Sequence, residues 1–181
     1  MKRIALDMDE VLADIYAKLR VYFKRDLGWK PKWEDYVGKK IYEIEGAEHL
    51  RDYLHARGFF ADVTVMPNSQ KVVKELQQHY DVFIVTSSME FRNSLVDKHD
   101  WLRAHFSFIP WKNIVMCGDK SIIQADYMID DHVRNLKTFQ GKGLLYTASH
   151  NIDNQEYTRV NNWLEIRDFF RSELEEETQK M

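Results

Sequence analysis

Arg3-Ile4-Ala5-Leu6-Asp7-Met8-Asp9 opens the chain with a short strand-like run that stops on two acids. Four later stretches repeat the pattern. Val82-Phe83-Ile84-Val85 stops on Thr86-Ser87-Ser88, and Ile114-Val115-Met116-Cys117 on Gly118-Asp119. Tyr127-Met128-Ile129 stops on Asp130-Asp131, and Leu144-Leu145-Tyr146 follows Gly141-Lys142-Gly143. These runs are rich in β-branched and aromatic residues and do not alternate with polar ones. That is the pattern of strands buried on both faces of a parallel sheet. Helical spacing fills the gaps over 69–79, 95–106 and 133–139, and a last helix is expected from Asn161 as its cap. The acidic end, Glu173 to Glu177, is expected to fray into solvent. Strands alternating with helices predict an α/β fold, a Rossmann-like doubly wound sheet with helices on both faces. Ligands of such sheets bind beyond the carboxyl ends of the strands, where four of the five runs end on polar residues.

Residues 15–65 break the alternation. They are too long for a connection within a compact domain. They carry Tyr16, Tyr22, Phe23, Trp29, Trp33, Tyr36, Tyr42, Tyr53, Phe59 and Phe60. The expectation is a small helical cap at 15–65, inserted after the first strand of a core formed by 1–14 and 66–181. Its aromatics supply a core of its own. Phe60, near the return to the main domain, is the best candidate to stack on a flat ring of a substrate.

Composition bounds the partners. The 181 residues are 44% hydrophobic and 30% charged, with a formal net charge of −3, as in a soluble globular protein. No basic tract tracks a polymeric nucleic acid. No apolar run approaches the length of a membrane span. The first residues enter strand-like sequence at once with no signal-peptide pattern, so a cytoplasmic location is expected. Cys117 is the single cysteine, which leaves no intrachain disulfide. A homodimer is a candidate assembly, and a small-molecule phosphate ester is the expected partner.

Hydrolysis of a phosphate ester needs a nucleophile, a proton donor, positive charge on the phosphoryl oxygens and usually a hard cation. Asp7 and Asp9 are two carboxylates close enough to repel unless a cation lies beside them. Mg²⁺ takes oxygen ligands, and Asp130 and Asp131 could complete its shell. Lys120 and Lys98 are candidates to offset charge at the phosphoryl group. Thr86 and Ser87 offer hydroxyls and backbone N–H groups to its oxygens. Alone, Asp-x-Asp is an ordinary turn, an acidic pair an ordinary helix cap, and a lysine ordinary surface. Their joint placement at strand ends in one expected crevice separates this chain from those cases.

Leu6 to Asp14, Thr86-Ser87, Lys120 and Asp130-Asp131 together resemble motifs I to IV of the haloacid dehalogenase (HAD) superfamily, in the same order. Asp7-Met8-Asp9, Val11 to Asp14, Gly58-Phe59-Phe60 before Pro67, Asp81 to Ser87, and Lys98 before Trp101 resemble the 5′(3′)-deoxyribonucleotidases in particular. The resemblance spans 3–147 and is weakest over 20–55. It implies a HAD-like core and a Mg²⁺-dependent phosphatase acting on (deoxy)ribonucleoside monophosphates, a 5′-nucleotidase. Asp7 would attack phosphorus to form an aspartyl-phosphate. Asp9 would protonate the leaving oxygen and then activate water. The Asp7 carboxylate, the Asp9 backbone carbonyl and Asp130 would hold Mg²⁺, with Asp131 in support. Thr86, Ser87, Lys98 and Lys120 would bind the phosphate, and Phe60 would line the base pocket. Three positions depart from the pattern. Glu10 stands where many members have glycine, Ile15 where vertebrate enzymes have phenylalanine, and His132 where arginine often follows the acidic pair.

Two other readings compete with it. One is a HAD phosphatase for a different small phosphate ester. The other is a phosphoryl-binding switch module, since receiver domains also set acids, a hydroxyl and a lysine on a doubly wound sheet. In those domains the acidic pair sits at the first strand and the lysine comes last. Here Lys120 precedes Asp130-Asp131 and a large insertion follows the first strand, which favours the phosphatase.

Overall fold

Asp7 owes its position to the aliphatic run before it, which becomes the centre of the sheet. The computed structural model of the protein describes residues 1–179. β1 is Arg3–Leu6. A two-residue ribbon, β2 (Ala13–Asp14) paired antiparallel with β3 (Thr64–Val65), pinches off the segment between them. That segment holds α1 (Ile15–Leu27) and 3₁₀ turns at Trp33–Asp35, Ile41–Glu43 and Glu48–His55. After it come α2 (Ser69–Leu76), β4 (Asp81–Thr86), α3 (Ser94–His105) and β5 (Ile114–Met116). The chain continues through β6 (Tyr127–Asp130), α4 (Val133–Thr138), β7 (Lys142–Tyr146), β8 (Thr158–Val160) and α5 (Trp163–Gln179).

The main sheet has the order β5-β4-β1-β6-β7-β8, and every pair in it is parallel. The fold is the expected Rossmann-like α/β architecture. Side chains of a strand alternate between faces, and two cores result. Ile4 and Leu6 join the large cluster that α1, α2, α3 and α5 cover. Ala5 points the other way, into a small cluster with Val85, Met128, Leu136, Phe139 and Leu145. Among the described residues that second face carries α4, a short turn and Tyr157, and Phe83, Val115 and Cys117 stay half-buried there.

Several expectations are revised. β8 was not foreseen, because its three residues sit in polar sequence. The inserted segment is less helical than expected, with one α-helix. Gly28 ends α1 in the left-handed region, with φ 78°, and Pro31 follows it. Gly38, Gly46 and Gly58 also take positive φ and break the remainder into short turns. The cap of α5 is Asn162 rather than Asn161: Leu164 N and Glu165 N both donate to Asn162 Oδ1, at 2.9 and 3.1 Å. The acidic end does not fray. Tyr127 Oη donates to Glu173 at 2.7 Å, Lys142 pairs with Glu173, and Lys2 pairs with Glu177.

Two buried tryptophans fix the loops around the strand ends. Trp163 Nε1 donates to Val11 O at 2.7 Å, and Trp101 Nε1 to Val63 O at 2.8 Å. A buried indole with its N–H satisfied both fills volume and sets a direction.

Candidate active site

Register brings the acids together. Leu6 is opposite Ile129 on one side and Ile84 on the other, and Asp7 N donates to Ile129 O at 2.9 Å. The strand ends therefore lie side by side: Asp7 just after β1, Asp130 closing β6 with Asp131 after it, and Thr86 closing β4 with Ser87 after it. Above them lies a cleft that opens to solvent. Asp7, Asp9, Ser87 and Asp131 line it from the sheet side, and Phe60 from the inserted segment.

Two buried lysines hold these acids from behind. Lys120 Nζ lies 2.6 Å from Asp7 Oδ1 and 2.7 Å from Asp130 Oδ2. Met8 N also donates to Asp7 Oδ1, at 2.7 Å, so the Asp7 carboxylate is fixed through one oxygen. Lys98 Nζ donates to Asp9 Oδ2 at 2.7 Å and to Thr86 Oγ1 at 3.0 Å. The same ammonium lies 4.6 Å from the centre of the Phe60 ring. Thr86, Lys98, Lys120 and Asp130 thus stand behind the cleft wall, whereas Asp7, Asp9, Ser87, Asp131 and Phe60 form it.

Asp130 and Asp131 differ in what they leave free. The Asp130 carboxylate takes Lys120, His132 N at 2.8 Å, and Asn135 Nδ2 at 3.0 Å to each oxygen. Asp131 Oδ1 is buried with no hydrogen-bond partner. The expectation put Asp130 on the metal with Asp131 in support; of the two, Asp131 has the oxygen without a hydrogen-bond partner. Asp9 Oδ1 is likewise buried and unpaired.

The electrostatics call for a cation. Five carboxyl groups (Asp7, Asp9, Glu10, Asp130, Asp131) crowd this end of the sheet, and the two buried ammonium groups pair with three of them, Asp7, Asp9 and Asp130. Burial pushes the Asp7 carboxyl well above the usual carboxylate range, with Lys120 opposing and Asp130 adding to the shift. Burial and the Asp130 charge push Asp131 up to about 8. Burial also lowers Lys120, but the Asp130 and Asp7 charges outweigh it and hold the ammonium above the ordinary lysine range. Carboxyl oxygens of Asp7, Asp130 and Asp131 lie within 4.8 Å of one another. An all-oxygen set with an orphaned, buried Asp131 oxygen fits Mg²⁺. The Asp9 carboxylate is not in that set; it turns one oxygen to Lys98 instead.

Several lining residues were not singled out from sequence for the cleft: Lys40, Tyr42, Glu90, Phe91, Arg134 and His150. Most sit on irregular loops without periodicity. Asn135 had a weak signal, one turn into the helix that follows the acidic pair.

The profile of the family described as "5′ nucleotidase, deoxy (pyrimidine), cytosolic type C protein" matches residues 1–174. A Staphylococcus epidermidis protein, provisionally assigned as a 5′(3′)-deoxyribonucleotidase, is 41% identical over 175 residues, covering 94% of this chain and 97% of its own. The 5′(3′)-deoxyribonucleotidase of Bacillus subtilis is 39% identical over 175 residues, covering 91% and 96%. Among solved structures, a provisionally assigned HAD hydrolase of Bacillus subtilis with magnesium bound superposes with a TM-score of 0.59 at 15% identity, covering 94% of this chain and 98% of that one.

Proposed function

The chain belongs to the family of 5′ nucleotidases, deoxy (pyrimidine), cytosolic type C, and is a phosphoric monoester hydrolase; from that premise we propose that it hydrolyses (deoxy)ribonucleoside monophosphates through an aspartyl-phosphate on Asp7. The observation that carries the proposal is the state of the Asp7 carboxylate. Oδ1 is engaged by Lys120 and Met8 N, which leaves Oδ2 as the oxygen that attacks phosphorus.

Asp9 is placed to handle the proton. Lys98 holds Oδ2, and the Asp9 carboxyl, which lines the cleft, passes a proton from one oxygen to the leaving ribose oxygen. The same oxygen then takes a proton from the water that releases phosphate. Ser87 lines the cleft and offers its hydroxyl to phosphoryl oxygens, while Thr86 fixes Lys98. Lys98 and Lys120 supply positive charge from behind the acids. Phe60 and Phe91, with ring centres 6.2 Å apart, give the cleft an apolar wall for a base.

Asp7, the Asp9 carbonyl and Asp131 would hold Mg²⁺, with Asp130 fixing Lys120 beside them. When bound, the ion supplies charge that lets a carboxylate approach a phosphate dianion. The acids on this chain support that assignment, since the magnesium-bound neighbour shares only the fold. Among the described residues no helix is long and apolar enough to cross a membrane; a cytoplasmic setting, suited to a nucleotide substrate, is part of the proposal.

The test is phosphate release with Mg²⁺ across panels of nucleoside monophosphates and sugar phosphates. Nucleotides should be hydrolysed, and Asp7→Asn should abolish turnover. Activity confined to sugar phosphates, or retained in Asp7→Asn, would overturn the reading.

A further inference from the structure

Beside the all-oxygen site lies a constellation that hydrolysis does not use. Asp131, His132 and His150 bring ligand atoms within 4.8 Å of one another. Asp131 Oδ2 is 3.4 Å from His150 Nε2 and 3.9 Å from His132 Nε2. The two imidazoles lie 4.6 Å apart between centres, tilted by 31°. Asp131 Oδ1, buried and unpaired, is the oxygen left for the magnesium site. One carboxylate thus keeps one oxygen free and turns the other to a pair of imidazoles.

We propose that Asp131, His132 and His150 form a second cation site, for a first-row transition ion of the Zn²⁺ type, which shares the Asp131 carboxylate with the magnesium site. The donor chemistry separates the two ions. Imidazole nitrogen suits zinc and its neighbours, whereas Mg²⁺ prefers oxygen and keeps its waters. Three protein ligands leave an open position, and all three residues line the cleft, so that position faces the substrate space.

The surroundings meet the needs of a ligating histidine. Tyr16 Oη lies 3.2 Å from His150 Nδ1. With Nδ1–H donated to that hydroxyl, the Nε2 lone pair is free for the ion. Lys40, on the inserted segment, and Arg134, on α4, are the cationic side chains that share the cleft with this pair, and their charge opposes a bound cation. The competing arrangement is purely structural. His150 Nε2 is 3.2 Å from Asp131 O, and the other tautomer would donate there and leave no ligand.

Metal binding by the full chain distinguishes the two, without any substrate. Chelator-stripped protein in saturating Mg²⁺ is titrated with Co²⁺, followed by its visible absorption, and with Zn²⁺ by calorimetry. The expected result is about one further ion per chain, with an absorption band of nitrogen coordination. His132→Ala and His150→Ala should each weaken it about tenfold or more. His150→Gln, which keeps a partner for Tyr16, should weaken it equally and guards against a simple folding defect. Absence of uptake in excess Mg²⁺, or uptake unchanged in the His132→Ala/His150→Ala double variant, would overturn the site. Failure of nucleotide hydrolysis would leave this measurement intact.

Discussion

Glu10 has φ 59° and, with Asn68, is one of two non-glycine residues at positive φ among the described residues. A side chain there costs roughly 1–2 kcal/mol relative to ordinary backbone. Part of the return is visible: Glu10 Oε1 accepts from Tyr16 N at 2.9 Å, satisfying a donor in the first turn of α1. The departure from the family's glycine is therefore a local exchange of backbone ease for a helix-end hydrogen bond. The two contributions separate by substitution. Both Glu10→Gly and Glu10→Ala lose the acceptor and the buried carboxyl, but alanine alone keeps the strain. Denaturant unfolding should show Glu10→Gly more stable than Glu10→Ala by about 1 kcal/mol. Equal stabilities would mean that this backbone position is not strained. The sequence marked Glu10 as unusual beside a phosphate site. It could not show the residue's reach to Tyr16, which depends on how tightly the turn from Asp9 to Ala13 closes.

Glu173 decides whether the last helix is part of the fold. It lies on α5 and takes both Tyr127 Oη and Lys142 Nζ at 2.7 Å, tying the helix to β6 and β7. Burial raises its carboxyl, but the hydrogen bonds from Lys142 and Tyr127 outweigh that and hold it below the usual glutamate range. A carboxyl lowered by folding stabilises the folded state above its unfolded value, near 4.3, and that stability fades as pH falls through the folded value. Glu173→Gln should thus lower the melting temperature at pH 7, by an amount worth below about 1 kcal/mol for a partly exposed pair. The gap to wild type should close at acid pH, and a constant gap would remove the ionic part of the argument. This contact also shows where element reading from sequence stops. Buried strands such as β1 and β6 were legible because apolar runs end on acids. The tail was not, since its acids look solvated until partners 31 and 46 residues away are known. β8, at three residues, carries too little pattern, and its place beside β7 comes from pairing alone.

At the scale of the molecule, the cleft exists because the segment between β2 and β3 is stitched over the strand ends. The site acids were legible as a set, since parallel register carries the ends of β1, β4 and β6 to one edge. The opposite wall was not, because Lys40 and Tyr42 stand near turns whose placement depends on distant contacts. One of these is Ser149, after β7. Its buried hydroxyl donates to Lys39 O at 2.8 Å, and Gly38 N donates back to Ser149 O at 2.8 Å. On the other flank Asn93 Nδ2 reaches His55 O at 2.8 Å, and Glu90 pairs with Arg51 across the cleft mouth. Ser149→Ala removes one stitch and leaves the Lys39 carbonyl unpaired, at a cost of about 1–2 kcal/mol. For a chain of this size that is a melting-temperature drop of roughly 2–8 °C. Asp7, Asp9 and the two lysines hang from other elements and should keep their geometry. The loop bearing Lys40 and Tyr42 should loosen, so KM for an accepted monophosphate should rise about fivefold, the equivalent of about 1 kcal/mol. The kcat should stay within about twofold, because the groups that act on the transition state are untouched. A fall in kcat at constant KM would instead mean that this loop steadies the reacting acids themselves, and the wall of the cleft would then belong to the chemistry rather than to binding.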